Sequence, residues 1–126
     1  MTRENFEKLV EEGLDLIPEE FLTKLDNVAI VIEDEPTEIQ INKVHLKKDN
    51  VLFGLYEGVP KIGRGAGYGN VLPDKITIFQ KNIEAYAYSD EEIRMKVRDT
   101  VWHEIAHHFG SDESGAQTAG KRLIKI

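Results

Sequence analysis

Two histidines and a glutamate stand together in His103-Glu104-Ile105-Ala106-His107, the spacing HExxH. On a helix, which turns about 100° per residue, the two histidines fall about 40° apart and one turn apart along the axis. Both imidazoles can then reach one ion, and imidazole nitrogen is a zinc ligand. Glu104 falls about 60° from His107, off the ion but near a water bound there, where a carboxylate can act as general base. This is the geometry of a zinc hydrolase.

A catalytic zinc takes three protein ligands, so a third is needed. The 19 residues after His107 hold only two carboxylates, Asp112 and Glu113. The third ligand is therefore expected nearby, in His103-Glu104-x-x-His107-x-x-Gly110-x-x-Glu113. Gly110 can take a positive φ and swing the chain back so that Glu113 meets the ion. Cysteine is absent, which removes thiolate zinc ligands, thiol nucleophiles and disulfide scaffolds together.

The motif needs a helix, and the flanking sequence supplies one. Ser89-Asp90-Glu91-Glu92 is a capping box, Ile93, Val97, Val101 and Ile105 recur every four residues, and Gly110 offers a stop. A helix is predicted from about Asp90 to Phe109. His108 falls inside the apolar stripe and reads as a packed histidine. Trp102 points away from both stripe and histidines, which suits a second packing surface or a partner contact. His45, isolated in sequence, reads as a surface residue.

Upstream, Phe6, Leu9, Val10, Leu14 and Ile17 mark a helix over residues 3–17 with Thr2 as N-cap, and Pro18 opens a short helix over Glu19–Leu25. Val28–Ile32 reads as a strand buried on both faces, placed at the sheet centre. The acidic run Glu33–Glu38 reads as an exposed loop, and residues 39–50 show only weak alternation. Val51–Tyr56 and Asp74–Gln80 read as strands, the second with Ile76 and Ile78 on one face, and a short helix is expected over Lys81–Ala87. The glycine-rich stretch Gly63–Gly69 lacks the Gly-Lys-Ser/Thr ending of a phosphate loop and does not match the dinucleotide fingerprint, so it reads as a loop bordering a site. The order specifies a single α+β domain over residues 1–126, with helices packed on a small mixed sheet.

Composition agrees with one domain: 126 residues, 40% of them hydrophobic, can enclose a modest core. Asp and Glu number 23 against 16 Lys and Arg, and a charge of -7 is the wrong sign for a protein held to nucleic acid by phosphate neutralisation. The charged N-terminus has no signal-like apolar segment, and no stretch reaches the length of a membrane span, so neither nucleic acid nor membrane is expected as a partner and a cytoplasmic location is expected.

The chain resembles the small bacterial zincin-like metallopeptidases, which consist of little more than a minimal zincin core. The resemblance runs from Leu16-Ile17-Pro18-Glu19-Glu20-Phe21 through Glu33-Asp34-Glu35-Pro36, Gly54-Leu55-Tyr56-Glu57-Gly58 and Leu72-Pro73-Asp74 to Thr100-Val101-x-His103-Glu104-Ile105-Ala106-His107-His108-Phe109-Gly110. It implies a zincin-like fold in which the Asp74–Gln80 strand edges the active-site cleft. An extended peptide would then add to that strand at Ile76–Phe79. The implied activity is zinc-dependent hydrolysis of a peptide or protein substrate, with His103, His107 and Glu113 on the metal and Glu104 as base. The family commonly has aspartate where this chain has Glu113. Tyr56, Arg64 and Tyr68 are candidate donors to the oxyanion of the tetrahedral intermediate. The alternative is a catalytically silent zincin-like module for metal or protein binding. With Glu113 as third ligand, Glu113→Ala is expected to weaken zinc affinity by at least about tenfold more than Asp112→Ala, measured by competition with a chromogenic chelator; equal or reversed effects would exchange the two assignments.

Overall fold

The computed structural model describes residues 1–44, 50–58 and 73–109, the last of these without its side chain. Helix α1 spans Arg3–Leu14. It begins at Thr2, whose hydroxyl accepts the Asn5 N–H at 3.1 Å and satisfies a donor that the first turn leaves free. The helix stops short of its predicted end, and Ile17 is buried from the turn that follows. Pro18 then opens α2 (Glu19–Leu22), which tightens into a 3-10 turn over Thr23–Leu25. Asn27 adopts φ 62°, a left-handed conformation that asparagine tolerates, and turns the chain into β1 (Val28–Glu33).

The first part of the weakly alternating stretch is helical, and residues 45–49 lie outside the described residues. Glu38–Lys43 forms α3, fixed by a reciprocal cap: Thr37 Oγ1 accepts the Gln40 N–H at 3.1 Å, and Gln40 Oε1 accepts the Thr37 N–H at 2.9 Å. The remaining elements are β2 (Gly54–Glu57), β3 (Asp74–Phe79), α4 (Gln80–Tyr86) and α5 (Asp90–Phe109). The fold is α+β, as predicted.

Two strand placements differ from expectation. The order is β1-β3-β2, with β1 parallel and β2 antiparallel to β3. The Asp74–Phe79 segment is therefore the sheet centre and β1 an edge. The physical reason lies in coverage: Ile76 and Ile78 on one face and Thr77 and Phe79 on the other are all fully buried, whereas every residue of β1 stays partly exposed. With β3 paired on both sides, a peptide cannot add to it at Ile76–Phe79. The strand edge beside α5 belongs to β2.

The core forms where α1 and α5 meet one face of the sheet. Phe6, Leu9 and Val10 of α1 join Ile76 and Ile78 of β3 and the predicted stripe of Ile93, Val97, Val101 and Ile105 on α5. Arg3 ties the start of α1 to the opposite end of the sheet, donating to Gln80 Oε1 at 2.6 Å and to the Ile32 carbonyl at 2.9 Å while its guanidinium pairs with Asp34. Gly13 sets the approach of α1 to α5, because a Cβ there would lie 2.6 Å from the Arg94 carbonyl oxygen and 3.1 Å from Val97 Cβ. Gly13→Ala is expected to destabilise the protein by about 1–3 kcal/mol, even though alanine favours a helix by about 1 kcal/mol, as read from the urea unfolding midpoint. An unchanged or raised midpoint would show that the two helices are not held this close.

Candidate active site

Helix α5 presents its chemistry at its C-terminal end and is anchored at the other. The Ser89 hydroxyl accepts the Glu92 N–H at 3.1 Å, so the N-cap is formed; the Glu92 carboxylate returns to the Ser89 hydroxyl, at 3.2 Å, where the predicted capping box would take it to the Ser89 backbone N–H. With the stripe facing the sheet, His103 and His107 emerge together from another face. Their ring centroids are 4.3 Å apart at an interplanar angle of 78°. Burial, and next the charge of His107, lower the pKa of His103, which keeps its imidazole in the neutral form that can ligate a metal. One turn earlier, Arg98 donates to Asp99 at 2.9 Å, yet burial still raises the Asp99 carboxyl above its usual value.

Glu104 sits between α5 and β2. Burial pushes its carboxyl up to about 7, opposed only in part by a hydrogen bond that the Tyr56 backbone N–H donates to it. β2 can reach α5 because Gly54 has no side chain: a Cβ there would fall 2.5 Å from Thr100 Cγ2 and 3.1 Å from the Thr77 carbonyl oxygen. The Tyr56 hydroxyl donates to Asp74 Oδ2 at 2.6 Å. Its ring stacks on His108, with centroids 3.8 Å apart and an interplanar angle of 17°.

His108 is thus exposed and stacked on Tyr56, not packed in the core as its position on the wheel implies. The angle is right, but the last turn of α5 passes beyond the buried stripe, and the neighbour there is the edge strand. Trp102 is buried against Phe21, with ring centroids 5.3 Å apart, and so forms the second packing surface. Of the candidate oxyanion donors, Tyr56 has its hydroxyl directed to Asp74. Arg64 and Tyr68 lie outside the described residues, as do His45, Gly110, Asp112 and Glu113.

Two imidazoles on one helix face suit zinc, and a carboxylate beside them suits proton transfer. Among the described residues no group of three His, Asp or Glu side chains converges, so the described donors are the two histidines. Sequence reasoning did not find Asp74 or the role of the Tyr56 backbone. Asp74 lies diagonally across the strand pair from Tyr56, two residues beyond the Tyr56–Ile76 match, and that relation exists only once the register is known.

A model of the zincin-like metallopeptidase family matches residues 25–120. No curated protein matches the sequence. No helix among the described residues is long and apolar enough to cross a membrane.

The raised Glu104 value has a consequence for stability in the metal-free protein. Between the ordinary glutamate value of 4.5 and about 7 the folded chain binds more protons than the unfolded one, so this carboxyl costs stability as pH rises through that window. Glu104→Gln, which resembles the protonated acid, is expected to match the wild type near pH 4 and to exceed it by roughly 2 kcal/mol at pH 8 in chelator-treated protein. Denaturant melts at both pH values check this; a gap that does not widen with pH would contradict it.

Proposed function

The chain belongs to the zincin-like metallopeptidase family, and on that premise we propose that it hydrolyses peptide bonds with zinc held by His103, His107 and Glu113 and with Glu104 as general base. The observation that carries the reading is the pairing of two imidazoles one turn apart with a desolvated carboxylate beside them. Zinc bound there supplies Lewis acidity, which makes water acidic near neutral pH and polarises a carbonyl.

Glu104 takes the proton of the attacking water and passes it to the departing amine. Burial raises the Glu104 carboxyl above the ordinary carboxylate range, which makes it a stronger base than a solvated glutamate for the first of these transfers. The substrate strand is assigned to β2. In the register of β2 and β3 Phe53 faces Phe79, and the Phe79 N–H donates to the Phe53 carbonyl at 3.0 Å. Backbone groups alternate along an antiparallel pair, so those of Gly54 and Tyr56 turn away from β3, toward an edge left unpaired by the described strands; with the Tyr56 N–H given to Glu104, the Gly54 N–H and the two carbonyls are the groups to which an extended peptide can add.

The decisive comparison is zinc-loaded wild type against Glu104→Gln on a broad peptide library, read by mass spectrometry. The wild type is expected to cleave, and the variant to keep its zinc while losing at least about a hundredfold in rate. A wild type that binds zinc and cleaves nothing would favour a silent metal-binding module, and equal cleavage by the variant would remove Glu104 from the mechanism.

A further inference from the structure

Tyr56 touches the candidate site through three different atoms groups. Its backbone N–H, turned outward by the phase of the β2–β3 pairing, donates to the Glu104 carboxylate. Its ring lies flat on His108, next to His107 on the last turn of α5. Its hydroxyl donates to Asp74 at the start of β3. The backbone contact needs β2 at a fixed height along α5, and the two side-chain contacts set that height, one against the helix end and one against the central strand. Gly54 closes the other end of β2 onto Thr100. A carboxylate on a long side chain has several rotamers, and a fixed backbone donor selects among them.

We infer that Tyr56 is the positioning residue of Glu104, its ring and hydroxyl holding the β2 edge so that its N–H aims the carboxylate. This rests on the peptidase reading and goes beyond it, because it gives Tyr56 the base to position and not the oxyanion to stabilise. Tyr56→Phe keeps the stack and the N–H but loses the tether to Asp74, and Tyr56→Ala loses both side-chain contacts.

Three measurements test it. In metal-free protein the Tyr56 amide is expected to be protected from hydrogen exchange, and Glu104→Ala to lower that protection by at least about tenfold while neighbouring β2 amides keep theirs. In zinc-loaded protein kcat should fall in the order wild type, Tyr56→Phe, Tyr56→Ala, reaching a loss of about ten- to a hundredfold, with KM within about threefold and zinc still at one per chain. Tyr56→Trp, which restores a stacking ring, should recover part of the loss relative to Tyr56→Ala. An unprotected Tyr56 amide, or a Tyr56→Ala protein with wild-type kcat, or one whose loss lies in KM or in zinc content, overturns the inference. If Tyr56→Ala does not fold, Tyr56→Phe, Asp74→Asn and the amide measurement decide in its place. A wild type that holds zinc and cleaves no peptide overturns the peptidase reading together with the catalytic role given to Tyr56; a cleaving wild type insensitive at Tyr56 overturns this inference alone.

Discussion

No side chain separates β2 from α5 at Gly54, and the room for one does not exist: a Cβ would meet Thr100 and the Thr77 carbonyl together. The site follows from that contact. With β2 laid against α5, its backbone meets Glu104 and its tyrosine meets His108, so the strand edge holds the motif-bearing end of the helix at two points. A second glycine, Gly13, performs the matching service on the other side of α5, where α1 closes on Arg94 and Val97. Held from both sides, α5 has little freedom to rotate or slide, and its histidines inherit that restraint.

The electrostatics run against stability. A carboxyl raised to about 7 is a group that the fold would rather keep neutral, and at neutral pH a good share of it is charged without a cation among its described partners. Such tension is characteristic of reactive groups, which are placed where water cannot satisfy them. The surrounding core of Ile76, Ile78, Val101 and Ile105 supplies the apolar burial that tolerates it.

The helix that bears the chemistry was legible in the residues, from the Ser89 cap to Phe109, because cap, stripe and motif all lie within one stretch of chain. The arrangement of the sheet was not. Val28–Ile32 and Ile76–Phe79 are both apolar runs, and which of them lies inside depends on pairing partners far away in sequence. The α3 cap was written in Thr37 and Gln40 but was masked by the acidic residues around it. His108 shows a further limit: a helical wheel gives the direction of a side chain, and not how far the covering layer extends along the axis. The Tyr56 contacts combine a backbone donor with a cross-strand diagonal, and neither has a signature in residue type.

The location of His107 near the end of α5 carries a thermodynamic consequence. The last described turn is tied to the rest of the fold from outside the helix as well, since the flat Tyr56 ring lies on His108. His107 therefore shares a restraint with the edge strand and not with the helix alone. A shift of β2 along α5 and a change at the histidine pair are thus coupled in free energy while the core of α1, α5 and sheet stays intact.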